Sequence, residues 1–234
     1  MRIIIFANGI IENPTAEAAR WVRPGDCVVA ADGGTQHALE AGYTPAHIIG
    51  DLDSLSPEQR TKLEAAGTTL HAHPPAKDET DLELALMWAA TQPDVTQIVI
   101  LGALGGRPDQ ALANLLLLGL PDLKGHETII ADGSWTVRCL RGGETATFHG
   151  HPGDTLSLLP LGGDAVGVTT HGLIYPLCDE TLFFGPARGV SNEFDGKTAT
   201  VTLRAGLLWC LHQNRQSFTS NPHGFSQNSA YVGL

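Results

Sequence analysis

The stretch Gly50-Asp51-Leu52-Asp53-Ser54 follows the apolar run His47-Ile48-Ile49. A run of that kind reads as a short buried strand, and acids just beyond it fall at the carboxyl edge of a sheet, where open α/β sheets bind their ligands. Two residues apart on extended backbone, Asp51 and Asp53 share one face. Like charges so placed repel unless a hard cation lies between them, and Mg²⁺ held by one or two carboxylates together with substrate phosphates is the common arrangement. Asp and Ser are also ordinary turn residues, so this stretch alone reads equally well as a turn. Three further clusters argue for chemistry. Asp32-Gly33-Gly34 offers an acid and glycines that would let the backbone approach a ligand closely. In Lys77-Asp78-Glu79-Thr80-Asp81 the last acid enters the first turn of a helix, where the dipole favours negative charge. The segment Gly102-Ala103-Leu104-Gly105-Gly106-Arg107-Pro108-Asp109-Gln110 offers free amides and Arg107 to a phosphate, without the spacing of a P-loop or a dinucleotide fingerprint. Three carboxylates, a basic residue and glycine turns at one sheet edge are what a magnesium-polyphosphate site requires.

Positioning these groups needs a parallel sheet with helices on its faces, and the first half of the chain alternates accordingly. Strands are expected at Arg2 to Ala7, Asp26 to Ala31, His47 to Ile49, Thr68 to Ala72, Gln97 to Leu101 and Thr128 to Ala131. Asn13-Pro14 and Ser56-Pro57-Glu58-Gln59 are helix starts, and Gly67 closes the second of these helices. Thr80 with Glu83 opens another, carrying Leu82, Ala85, Leu86 and Ala89 on one face. A helix from about Pro108 to Leu118 is apolar almost all round and is expected to be deeply buried. After Asp132-Gly133 the 3.6-residue period vanishes, and short β-rich runs from Thr136 to His212 predict an antiparallel sandwich or barrel. The expected organisation is an α/β catalytic domain over 1–132, an all-β domain over 133–213 and a polar tail over 214–234.

Composition restricts the partners. A net charge of -11, with only 14 scattered Lys and Arg, argues against a nucleic-acid partner, since phosphate backbones are bound by clustered Lys and Arg. Cys27, Cys139, Cys178 and Cys210 form no Cys-x-x-Cys pair and read as small hydrophobes in a reducing compartment. The N-terminus reads as a first strand rather than a signal peptide, and no stretch approaches the roughly 20 apolar residues of a membrane span, so a cytoplasmic protein is expected.

Ala31-Asp32-Gly33-Gly34, Gly50 to Ser54, Lys77 to Glu83, Gly102 to Gln110 and the late Gly189-Val190-Ser191-Asn192-Glu193 together resemble the ordered signature of the thiamine pyrophosphokinase family over roughly residues 3 to 210. The resemblance implies an α/β domain joined to a β-sandwich, a homodimer with its site between subunits, and transfer of a pyrophosphoryl group from ATP to the hydroxyl of thiamine. It implies Mg²⁺ on Asp51, Asp53 and Asp81. Nucleotide contacts are implied for Asp32, Gly33, Gly34, Lys77, Asp78, Thr80, Arg107 and Gln110, although many bacterial relatives carry His where Gln110 stands. Asp109 would lie near the substrates, and Ser191 and Asn192 would reach the thiamine pocket of the partner subunit. One of Asp51 or Asp53 is also a candidate to accept the hydroxyl proton. Thiamine is a cation with two aromatic rings, which makes Phe194 a candidate stacking wall against its alternative as sandwich core.

Two readings compete with this one: a pyrophosphokinase acting on another hydroxymethyl heterocycle such as a pterin, and a non-catalytic thiamine or nucleotide sensor. The intact acids and Arg107 speak against the sensor. The pairs His71/His73 and His149/His151 could each place two imidazoles on one strand face, but no third ligand stands nearby in sequence.

Overall fold

The computed structural model describes residues 1–215. Most of the expected polar tail over 214–234 therefore lies outside the described residues. Six strands form the parallel part of the fold: β1 (Arg2–Phe6), β2 (Cys27–Ala31), β3 (His47–Gly50), β4 (Thr69–Ala72), β5 (Gln97–Leu101) and β6 (Glu127–Asp132), in the order β6-β5-β1-β2-β3-β4. Ile3, Ile4, Ile5 and Phe6 are all fully buried. An unbroken apolar run of this kind belongs to a strand covered on both faces. Ile3 and Ile5 face the layer of α4 (Asp81–Ala90), while Ile4 and Phe6 face the layer of α1 (Pro14–Trp21) and α2 (Gly34–Glu40).

The helix starts follow the chemistry read from the sequence. Asn13 Oδ1 accepts the Ala16 N–H at 2.9 Å to cap α1. Before α3 (Pro57–Ala65), Ser56 and Gln59 exchange both bonds of a capping box. The Thr80 hydroxyl oxygen accepts the Glu83 N–H at 3.1 Å, which fixes the start of α4 and with it the place of Asp81. The burial expected for α5 (Pro108–Leu117) is corrected: only Asn114 and Leu117 are buried, and Leu112 and Leu116 are 60% and 55% exposed. The helix turns one narrow face to the core, with Leu115 partly buried against it, and Leu112 and Leu116 are left uncovered among the described residues.

At Gly133-Ser134 the chain reverses, and β7 (Trp135–Arg141) pairs antiparallel with β6. The same sheet then continues, through β14 (Leu207–Gln213) and β9 (Thr155–Pro160) to β12 (Asn192–Glu193), to ten strands. A second sheet of four strands has the order β11-β10-β13-β8, from Glu180–Leu182, Ala165–His171, Thr198–Thr202 and Thr145–His149. Leu140, Leu156, Leu158 and Leu208 of the long sheet share one core with Phe148, Val168, Leu182 and Val201 of the short one. Of the two all-β architectures expected, the sandwich is the one observed. No helix among the described residues is long and apolar enough to cross a membrane.

Near the outer edge of the parallel sheet, His47 Nδ1 lies 3.1 Å from His71 Nε2, and Trp88 of α4 covers the pair with its ring 4.4 Å from that of His47. Burial lowers both imidazole pKa values from the ordinary 6.5, His47 further through His71 and His71 further through His73. Below 6.5 the unfolded chain binds protons that the folded chain does not, so stability is expected to fall as pH drops from 6.5 toward the lowered values. Urea midpoints on either side of that pH would show it, and His71→Asn should flatten the slope.

Candidate active site

The acids are brought together by two backbone exceptions. Asp32, at the end of β2, has φ 37°, and Leu52 has φ 62°. Such values cost a non-glycine residue on the order of 1–3 kcal/mol and persist where the surroundings impose them. For Leu52 the imposing contact is burial of its side chain beside Ile48, Leu55 and Leu63. Asp51 and Asp53 thus meet through a left-handed Leu52, not by alternation along extended backbone. The Asp53 N–H donates to Asp51 Oδ1 at 3.2 Å, and the Ser54 hydroxyl donates to Asp32 Oδ1 at 3.0 Å. One carboxylate oxygen each from Asp32, Asp51 and Asp53 lies within 4.8 Å of the others. Burial raises the Asp32 pKa, the Ser54 hydroxyl opposes this, and the neighbouring Asp81, Asp51 and Asp53 add to the rise. A buried acid crowded by other acids is a ready site for a hard divalent cation.

Gly50 makes this crowding possible. A Cβ there, at φ 153°, would stand 2.8 Å from Asp32 Cβ and 3.0 Å from the Asp81 carboxyl. Asp81 itself is engaged by Lys77, whose ammonium lies 2.8 Å from Asp81 Oδ1. The close trio therefore contains Asp32 where the sequence reading placed Asp81, and Asp81 stands beside it as the partner of Lys77.

A cleft of about 570 Å³ opens over these groups, walled by Asp32, Asp51, Lys77, Thr80, Asp81, Arg107 and Gln110. Asp78 is exposed outside that wall. Arg107 caps α5 and grips Asp109 with two hydrogen bonds, Nε to Oδ1 at 3.1 Å and Nη2 to Oδ2 at 2.6 Å. That hydrogen-bonded guanidinium holds the Asp109 pKa down at about 2, so the acid is ionised at any working pH. Both groups are exposed, and the fork is free to be exchanged for a phosphate. Gly33 and Gly34, expected at the nucleotide, are not among the residues lining the cleft. A Cβ at Gly33 would meet the Asn8 side chain at 2.4 Å and one at Gly34 the Phe6 carbonyl at 2.0 Å, so these glycines let α2 pack against β1.

Asn8, Gly9, Glu79 and Asn114 also line the cleft and were not anticipated. Asn8 could have been found by the rule that found Asp32, because it is a polar residue just past a buried strand. Asn114 donates from Nδ2 to the Ala103 carbonyl at 2.7 Å and ties the glycine loop to α5, a contact with no signal in sequence.

Ser191, Asn192 and Phe194 lie in the sandwich half and take no part in the wall of this cleft. Ser191 is exposed in a left-handed turn with φ 61°. The stacking role considered for Phe194 is corrected: it is 1% exposed, packed in the sandwich core with its ring stacked on His212 at 5.0 Å. Tyr175, Phe183 and Phe184 are the exposed aromatic rings of this half, at 64%, 61% and 62%, and Tyr175 is the one tied to Asn192. Asn192 holds its backbone from both sides, donating to the Tyr175 carbonyl at 2.6 Å and accepting the Tyr175 N–H at 3.1 Å.

Clustered acids at the carboxyl edge of a parallel sheet, with a lysine and an arginine in the same cleft, are a donor set suited to a metal-bound polyphosphate. The comparisons with known proteins are more specific. Residues 19–130 match the family described as thiamin pyrophosphokinase, catalytic domain, and residues 146–208 match thiamin pyrophosphokinase, vitamin B1 binding domain. A thiamine pyrophosphokinase of Bacillus subtilis is 34% identical over 77% of this chain and 84% of its own. The crystal structure of a thiamin pyrophosphokinase from Geobacillus thermodenitrificans superposes with a TM-score of 0.78 at 29% identity, covering 93% of this chain and 99% of that one. For the yeast enzyme the TM-score is 0.73 at 18% identity, over 93% of this chain and 87% of that one, which shows a shared fold. The chain belongs to the thiamine pyrophosphokinase family.

Proposed function

We propose that the chain transfers the pyrophosphoryl group of ATP to the hydroxyl of thiamine, giving thiamine diphosphate and AMP. The observation that carries this reading is the convergence of Asp32, Asp51 and Asp53 within 4.8 Å at one end of a polyphosphate-sized cleft. The donor set is all carboxylate and fits a hard ion, so Asp32, Asp51 and Asp53, with Asp81 adjoining, would hold Mg²⁺. Bound there, the ion would neutralise phosphate oxygens and the charge developing on them. Arg107 exchanges Asp109 for a phosphate and stabilises charge as the bond to AMP breaks. The thiamine hydroxyl oxygen attacks the β-phosphorus, AMP leaves in line, and Asp51 or Asp53 takes the hydroxyl proton.

The reading includes a cytoplasmic homodimer. All of the residues lining the cleft fall between 7 and 114, and none comes from the sandwich half. The exposed Leu112 and Leu116, one turn apart on α5, form an apolar face suited to a second copy. That copy would bring Ser191 and the Tyr175 ring held by Asn192 over the cleft as the thiamine wall. Leu112→Asp with Leu116→Asp is expected to shift the sedimenting species to monomer mass and to cost most of the activity; a double mutant that stays dimeric would exclude this face. Asn192→Ala removes both clamps on Tyr175, and the thiamine KM is expected to rise about tenfold, consistent with ~1–2 kcal/mol of lost hydrogen bonding, while the ATP KM stays put.

AMP release from ATP and Mg²⁺, with and without thiamine, tests the activity itself. AMP formed only with a pterin alcohol would move the protein to the rival substrate, and thiamine binding without AMP would make it a sensor.

A further inference from the structure

In the sandwich half, two imidazoles converge on one buried carboxylate. Asp154, 1% exposed, precedes β9; His151 lies in the turn before it, and His212 belongs to β14. His151 Nδ1 and His212 Nε2 each stand 3.8 Å from Asp154 Oδ2. That is too long for a hydrogen bond, and both nitrogens are buried with no hydrogen-bond partner. Buried polar atoms in folded proteins are nearly always paired, so two orphans aimed at one oxygen ask for an occupant.

The surroundings fix the group. Asp154 Oδ2 accepts the His151 N–H at 2.8 Å, and Oδ1 accepts the Arg215 N–H at 3.0 Å. His212 is 8% exposed and stacked on Phe194, so its ring does not wander. A Cβ at Gly150 would come within 2.7 Å of Asp154 Oδ2 and 3.1 Å of His212 Nε2; only glycine leaves that space open.

We propose that His151, Asp154 and His212 form a second metal site, for a transition-metal ion of the zinc class. Two imidazole nitrogens and one carboxylate are borderline donors, unlike the hard all-oxygen set of the catalytic cleft. A separation of 3.8 Å is spanned by two metal–ligand bonds of about 2.0–2.2 Å each. Among the described residues only Asp32, Asp51 and Asp53 bring three ligand atoms within 4.8 Å of one another, so this second site closes on binding. The His151 side chain, 43% exposed, is the one free to turn inward. A bound ion would staple the turn before β9 to β14.

The test uses the full chain in excess Mg²⁺, which occupies carboxylate sites and competes poorly for imidazole, with Co²⁺ as the probe. Stoichiometric Co²⁺ uptake with the visible absorption of a nitrogen-ligated ion is expected, together with a higher melting temperature. His212→Ala should abolish uptake, and His151→Ala, at an exposed ring where folding is safe, should weaken it by at least about tenfold. No uptake in excess Mg²⁺, or equal uptake by the native chain and His151→Ala, overturns the site.

Discussion

Asp51→Asn is expected to lower kcat by about 10²–10³-fold, or ~3–4 kcal/mol of transition-state stabilisation, while the protein stays folded. The substitution keeps the oxygen that accepts the Asp53 N–H, so the left-handed turn at Leu52 retains its hydrogen bond. What disappears is one negative charge from the trio with Asp32 and Asp53. Both proposed roles of Asp51, as metal ligand and as proton acceptor, need that charge. Steady-state rates at saturating Mg²⁺, paired with a urea midpoint, separate chemistry from folding. Normal turnover with magnesium still bound would exclude Asp51 as the base and leave Asp53 in that role.

Gly50→Ala is expected to bring activity close to background without replacing a charged residue. The added methyl meets Asp32 Cβ at 2.8 Å and the Asp81 carboxyl at 3.0 Å, so both acids must retreat from the site. Overpacking of this kind costs about 1–3 kcal/mol of stability, and the retreat breaks the geometry of the cluster as well. Gly67→Ala is the control. Gly67 has φ 97° and open space where its Cβ would point, so it should lose stability through backbone strain and keep its rate. If the two variants lost activity equally, crowding at Gly50 would not be the cause. The rise in melting temperature with Mg²⁺ and ATP should vanish in Gly50→Ala and persist in Gly67→Ala.

The strands were legible because Ile3 to Phe6 and Ile98 to Leu101 are unbroken apolar runs covered on both faces, a pattern with few other solutions. The place of the site was legible too, since Asp32, Asp51 and Asp81 each follow a strand or open a capped helix, and local chemistry fixes such positions. What failed depended on contacts distant in sequence. An apolar helix such as α5 reads the same whether its leucines face the core or a second molecule. Phe194 follows the Ser-Asn pair yet is buried in the sandwich core, while Asn192 is hydrogen-bonded to the backbone of the exposed Tyr175 in another segment. Gly33 and Gly34 carry no mark telling that their missing side chains make way for Asn8 and Phe6 instead of a ligand. The imidazole His212 that completes the cluster with His151 and Asp154 comes from the last strand, beyond the reach of any spacing rule.

The antiparallel pairing of β6 with β7 has a mechanical consequence. Hydrogen bonds run without interruption from β4 to β12, so the two halves of a chain share one stiff girder and no hinge lies between them. Swinging one half toward the other would break the ladder from Ile129–Arg138 to Asp132–Trp135. A rearrangement at the cleft would then be confined to its loops, such as the one holding Gly105 and Gly106, whose φ values of 86° and 73° lie just ahead of Arg107. Alanines at that pair would be strained at these φ values and should slow turnover by displacing Arg107, while the sheet they hang from stays intact.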